Sequence, residues 1–237
     1  MTELLFHDDS YLKEFNAVVT EINDDGVVLD RTAFYIGGGG QPNDIGVLIA
    51  NDKTYAVTRV SRSGPNIVHR IEGPTPEVGT LIIGKIDWDR RYLLMRTHTA
   101  LHILCGVIWR DYKAKVTGGD MQPGSARMDF ELESITHAFA QEIEDRINEE
   151  VRANRDIVID NLTRHDADHH PDLIRTKINL LPQNITEVRT IDITGLDLQA
   201  DGGTHVSNTK EVGFIKVVGH ESKGKINKRL RITIEDI

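Results

Sequence analysis

The residues best placed to do metal chemistry lie in Arg96-Thr97-His98-Thr99-Ala100-Leu101-His102-Ile103-Leu104. Two histidines four positions apart in an apolar helical pattern sit one turn apart on the same face. Their imidazoles can share one metal ion, as zinc sites on helices do, but zinc wants at least three protein ligands, so the pair is incomplete. Thr99 stands where an HExxH metalloprotease carries its glutamate base, which excludes that chemistry. Cys105 continues the stripe three residues beyond His102. It reads as a fourth ligand or, more commonly for a buried cysteine, as a small hydrophobe.

A second stretch, Leu198-Gln199-Ala200-Asp201-Gly202-Gly203-Thr204-His205-Val206, offers candidates to complete the shell. Its two glycines let a short loop fold tightly enough to aim Asp201 and His205 at one ion. The competing reading is an ordinary Asp-Gly turn with a surface histidine. His165-Asp166-Ala167-Asp168-His169-His170 also has histidines at i, i+4, but it is strongly polar with no apolar stripe to bury it. It reads as a solvated helix end.

Phe34-Tyr35-Ile36-Gly37-Gly38-Gly39-Gly40-Gln41-Pro42 carries four consecutive glycines. No Gly-Lys-Ser/Thr follows and no GxGxxG leads into a helix, so it is not a phosphate loop of either common kind. A flexible turn is one reading. The flanking aromatics and Gln41-Pro42 suggest instead a defined loop whose bare backbone approaches a ligand. Lys223-Gly224-Lys225-Ile226-Asn227-Lys228-Arg229-Leu230-Arg231 holds five basic residues and no acid. It is either a solvated hairpin or a contact to nucleic-acid phosphates.

These residues need elements to position them. Phe15 to Asp30 reads as a hairpin turning at Asn23-Asp24-Asp25-Gly26, and further short strands are expected at 47–50, 54–60, 67–71 and 80–86. Short strands broken by Gly, Pro and Asn predict a small β-barrel-like domain over residues 1–87. Asp87-Trp88-Asp89 then opens a helix over about 90–112, acidic at its positive end. A second helix over 136–153 repeats Phe139, Ile143, Ile147 and Val151 every four residues. Strands are expected within 116–130 and at 157–159, 188–193, 213–219 and 230–234, with a polar helix near 164–170. Residues 88–237 therefore read as an α+β domain with a mostly antiparallel sheet.

Composition is that of a water-soluble chain: 237 residues, 39% hydrophobic and 27% charged. No run approaches membrane-spanning length, the N-terminal stretch has no signal-peptide core, and the single cysteine permits no internal disulfide. A cytoplasmic location without membrane partners is the expectation. The net charge of −9 argues against a nucleic-acid partner at first sight. Yet the stretch from Lys210 holds seven basic and four acidic residues, a local balance of +3 that leaves −12 elsewhere. Screening confines the field of a charge to roughly 8–10 Å, so the local balance governs phosphate binding.

With FYIGGGGQPNDIG, RTHTALHIL and QADGGTHVSNT occurring in that order, the chain resembles the AlaX family of free-standing alanyl-tRNA editing proteins, of the medium-length type. The resemblance covers nearly the whole chain. It implies a zinc-dependent deacylase acting on mischarged tRNA(Ala), above all Ser-tRNA(Ala) and in some members Gly-tRNA(Ala). It also implies one zinc ion on His98, His102 and His205, with Asp201 where most members have cysteine. Asp201 departs from the pattern as a harder donor of the same charge, and the site either includes it or binds through the three histidines alone. Thr117 falls where the family places a threonine that contacts the substrate serine. Taken together with these motifs, the glycine loop and basic run give further expectations: Gly38, Gly39, Gly40 and Gln41 at the substrate, Gln41 beside Thr117 as candidate catalytic residues, and Lys223, Lys225, Lys228 and Arg229 at the tRNA. Two other readings remain at this stage: a tRNA-binding module that has lost catalysis, and a zinc hydrolase of a small ester or amide.

Overall fold

The computed structural model describes residues 1–170, 172–177, 181 and 185–236, which form two compact units, Met1–Tyr92 and Leu93–Ile237. The class is the α+β one expected. In the first unit a closed barrel runs in the order β2 (Glu14–Asn23), β3 (Gly26–Leu29), β7 (Asn66–Ile71), β6 (Lys53–Ser63), β5 (Gly46–Ala50) and β8 (Leu81–Ile86). Two short strands, β1 (Glu3–Leu4) and β4 (Arg31–Thr32), pair in parallel beside it, a pairing too short to leave a sequence signal. Alternation along the strands turns Phe15, Val19, Leu29, Leu48, Val60 and Ile67 inward. Gly84 is required by that core. A Cβ there would lie 2.4 Å from the Phe15 ring.

His69 is fully buried in the barrel. With its proton on Nδ1 it donates to the Val27 carbonyl (3.3 Å) and accepts at Nε2 from the Thr32 hydroxyl (2.8 Å). Burial lowers its pKa to about 4, against a smaller upward pull from the Val27 hydrogen bond. A histidine whose folded pKa lies below its unfolded value of about 6.5 binds its proton first in the unfolded chain. Stability is therefore lost as pH falls from 6.5 towards 4 and is flat below. Between pH 7 and 4.5 this one group should cost about 2 kcal/mol. Urea unfolding at both pH values should show that loss reduced by a similar amount in His69→Gln; an identical pH dependence in the variant would remove His69 as its source.

The second unit is organised on α1 (Trp88–Tyr112), whose first residues count with the first unit. Asp87 caps it by accepting from the Arg90 N–H (3.1 Å). Leu94, Met95, Leu101, Ile103, Leu104, Val107 and Ile108 are all buried, so α1 is enclosed around its circumference. One antiparallel sheet has the order β14 (Phe214–Gly224), β15 (Asn227–Glu235), β10 (Ser125–Phe130), β9 (Val116–Gln122). Its β14 edge is covered by α2 (His137–Arg152): the Asn148 amide both donates to and accepts from the Ile215 backbone, and Glu144 accepts from the Val217 N–H (2.6 Å). The second sheet is β11 (Ile157–Thr163), β12 (Glu187–Ile193), β13 (Asp197–Ala200), also antiparallel, with α3 (Arg164–His169) following β11. Strand β13 was not anticipated. Four residues ending in a glycine-rich loop carry too little alternation to announce themselves.

Candidate metal centre

Because α1 is enclosed, its histidine face is buried too: His98 and His102 are 4% and 6% exposed. The loop after β13 brings the other two candidates to them. Asp201 begins that loop with its N–H donating to the Arg189 carbonyl (3.1 Å), and the Arg189 guanidinium donates back to the carbonyls of Asp201 (2.9 Å) and Gly203 (3.0 Å). The Gly203 N–H donates to Asp201 Oδ1 (2.6 Å), an Asx turn that fixes the carboxylate. Oδ2 faces the helix, 3.7 Å from His98 Nε2 and 3.9 Å from His102 Nε2. His205 Nε2 lies 3.3 Å from Oδ1.

One ligand atom from each of His98, His102, Asp201 and His205 falls within 4.8 Å of every other. A tetrahedral shell with metal–ligand bonds of about 2.0–2.1 Å has ligand–ligand edges of roughly 3.4 Å. The Oδ2 edges of 3.7 and 3.9 Å to His98 and His102 are close to that and exceed hydrogen-bond length, while the 3.3 Å approach of His205 is to the other oxygen, Oδ1. The outward nitrogens are tied as well. His102 Nδ1 lies 3.2 Å from Asp197 Oδ2, His205 Nδ1 lies 3.1 Å from Thr99 Oγ1, and His98 bonds the Thr204 backbone.

Protonation at His98, His205 and Asp201 also suits a cation, whereas His102 is pulled the other way. Burial lowers His98 to about 4 against the opposing charge of Asp201, and burial with the His98 charge takes His205 well below its ordinary value. Burial alone would raise Asp201, but the surrounding imidazoles hold it well below the usual carboxylate range. His102 feels the same burial, yet the Asp197 hydrogen bond and the charges of Asp201 and Asp197 outweigh it and raise its pKa. Neutral imidazoles and an ionised carboxylate are the forms that ligate metals. The donor set of three nitrogens and one oxygen fits zinc.

Other candidates lie elsewhere. Cys105 is buried with its thiol pushed well above its ordinary value, by burial first and by Asp197 second, which suits a packed side chain. His165 and His169 meet on exposed α3, where His169 Nδ1 bonds the His165 carbonyl (2.7 Å). Thr117 is exposed on β9 and donates to Asn227 Oδ1 (2.8 Å). The N–H of its neighbour Val116 donates to the carbonyl of Arg175 (2.9 Å), whose guanidinium Nε lies 3.7 Å from Asp197.

In the first unit the glycine loop is a pinned structure. Gly37, Gly38, Gly39 and Gly40 all have positive φ (86, 138, 58 and 91°), a run that only glycine adopts without strain. Gly38 and Gln41 exchange backbone hydrogen bonds (3.0 and 2.9 Å), and the Tyr35 hydroxyl donates to the Gly38 carbonyl. Gly38, Gly39 and Gly40 are exposed, whereas Gln41 is buried. Asp44 closes the loop by accepting from the Tyr35 N–H (2.6 Å) and from Arg91, itself fully buried and donating also to the carbonyls of Ser10 and Ala33.

The basic run divides in two. Lys223 and Lys225 are exposed. Lys228 is buried and donates to the carbonyls of Gly224 and Lys225 within its own hairpin, and Arg229 bonds Asp129 (2.6 and 2.8 Å) and Glu221 (3.2 Å). Sequence reading missed Thr99, Asp197 and Arg189, which touch the ligands or their loop. No sequence signal pointed to the second of these, because β13 is only four residues long.

Comparison with known proteins is consistent along the chain. A family described as tRNA synthetases class II (A) matches residues 6–90, and one described as the threonyl and alanyl tRNA synthetase second additional domain matches residues 188–231. An alanyl-tRNA editing protein AlaX-M of Saccharolobus solfataricus is 42% identical over 99% of this chain and 100% of its own length. That of Methanosarcina acetivorans is 37% identical over the full length of both. The alanine–tRNA ligase of Ignicoccus hospitalis is 37% identical over 92% of this chain, which spans 24% of that larger protein.

Proposed function

The chain belongs to the AlaX-M family of alanyl-tRNA editing proteins, and we propose that it hydrolyses the aminoacyl ester of Ser-tRNA(Ala), with one zinc ion on His98, His102, Asp201 and His205. It acts as a deacylase in trans on mischarged tRNA(Ala). The observation that carries the zinc assignment is the convergence of three buried imidazoles and one carboxylate with their outward nitrogens already bonded. A bound zinc supplies Lewis-acid polarisation and orientation of the aminoacyl group or of a water. The chain's own residues do the rest. Arg189 and the Gly203 N–H hold the ligand loop, and the burial of α1 excludes bulk water from the imidazoles.

Serine is the substrate class that needs this enzyme. An alanine pocket rejects an added hydroxyl weakly, whereas a site that hydrogen-bonds the hydroxyl rejects the substrate that lacks it. Gly38, Gly39 and Gly40 present exposed backbone for the amino acid or the terminal adenosine, Gln41 anchors that turn, and Thr117 meets the serine hydroxyl. Lys223 and Lys225 contact tRNA phosphates, with Lys228 and Arg229 ordering the hairpin that carries them. Among the described residues no helix is long and apolar enough to cross a membrane, and the substrate places the reaction in the cytoplasm.

Release of amino acid from Ser-, Gly- and Ala-tRNA(Ala) tests this reading: serine should be freed and alanine spared. Equal hydrolysis of all three, or of none, would contradict it. Thr117→Val should lower serine release about tenfold, the worth of one hydrogen bond, with zinc content unchanged. Serine release equal to wild type would take Thr117 out of the site.

A further inference from the structure

We infer that Asp197 is a positioning residue for the metal centre, which fixes the proton of His102 on Nδ1 and so turns Nε2 towards the shared site. The inference rests on the zinc reading above and concerns a residue outside the four ligands.

Strand β13 builds the arrangement. Residues two apart on a strand share a face, so Asp197 and Gln199 both look towards α1. Pairing of β13 with β12, Asp197 opposite Ile193 and Gln199 opposite Ile191, sets their depth. Asp197 is 2% exposed, and its Oδ2 lies 3.2 Å from His102 Nδ1, the nitrogen turned away from Asp201. An ionised carboxylate only accepts, so the bond requires the proton on Nδ1, which leaves the Nε2 lone pair for the metal.

One donor and one nearby cation flank Asp197 in turn. The Gln199 amide donates to the same Oδ2 (2.6 Å) and lies 3.5 Å from His102 Nδ1, while Arg175, also buried and stacked over Trp109, has its Nε 3.7 Å from Oδ1. The order Arg175, Asp197, His102, metal is that of a carboxylate-buttressed histidine ligand, in which the outer partner raises ligand basicity and locks ring orientation. Gly106 lets α1 approach this strand closely: a Cβ there would stand 3.0 Å from the Asp197 Cβ.

The test measures zinc affinity directly, by competition with a chromophoric chelator, together with the visible spectrum of the cobalt-substituted full-length protein. Asp197→Asn keeps the shape and removes the charge. Its zinc affinity should fall about 10–100-fold and its cobalt spectrum should shift, with far-ultraviolet circular dichroism unchanged. Gln199→Leu removes only the donor that holds Oδ2 and should lose affinity several-fold, and it serves as the test if Asp197→Asn does not fold. Wild-type affinity and spectrum in Asp197→Asn, or in Gln199→Leu where that variant stands in, would overturn the role of Asp197 and leave the zinc reading standing. A wild-type protein that binds neither zinc nor cobalt would instead overturn the zinc reading itself.

Discussion

Asp201→Ala should purify without zinc and hydrolyse Ser-tRNA(Ala) more than a hundredfold more slowly than the wild type. The reason lies in what Asp201 does with its two oxygens. Oδ1 is bound by the Gly203 N–H and shapes the loop, and Oδ2 faces His98 and His102. Truncation removes the only negative charge among the four candidate ligands, so the loss should exceed the roughly 10–100-fold worth of a partner one step outside the shell. Asp201→Cys separates charge from loop-building. A thiolate restores the charge and a tetrahedral zinc ligand but accepts poorly from the Gly203 N–H, so this variant should keep zinc and prefer softer ions more strongly than the wild type. Elemental analysis of both variants after identical purification decides the point. Full zinc in Asp201→Ala would show that the three histidines bind alone.

The second large effect concerns the glycine loop. Asp44→Ala should destabilise the barrel unit by about 3–5 kcal/mol, because it leaves the guanidinium of Arg91 buried without its counter-charge. Asp44 and Arg91 are 1% and 0% exposed at their side chains, and the carboxylate also holds the Tyr35 N–H. Zinc content should be unaffected, since every ligand belongs to the other unit. Urea denaturation should therefore show a lower midpoint for the barrel, and Ser-tRNA(Ala) hydrolysis should fall with the loop's geometry. A stability within 1 kcal/mol of wild type would mean that Arg91 finds water or another acceptor.

Much of this was legible in the chain because it depends on local periodicity. His98 and His102 share a face by helical spacing alone, and Phe139, Ile143, Ile147 and Val151 mark the buried side of α2. The barrel strands are short and punctuated, which hairpin chemistry makes visible. Asp197 was not legible, since its meaning comes from β13 pairing with β12 against a helix some 95 positions away. Arg91 looked like one more helix charge until the fold buried it against Asp44. Lys228 is the instructive case. In a basic run it suggests phosphate contact, but it alternates with Leu230 and Ile232, all three buried, so its stem follows the inward face of β15 and its ammonium turns back on the hairpin. The alternation was present and the run of charge hid it.

On the proposed function, deacylation of mischarged tRNA(Ala) depends on a divalent ion held by His98, His102, Asp201 and His205. The most direct measurement is single-turnover release of serine from Ser-tRNA(Ala) by the intact protein, before chelation, after removal of metal, and after stoichiometric zinc is returned. Activity should vanish on chelation and return with one zinc per chain. Serine release that continues unchanged in a protein shown to be free of metal would contradict the account.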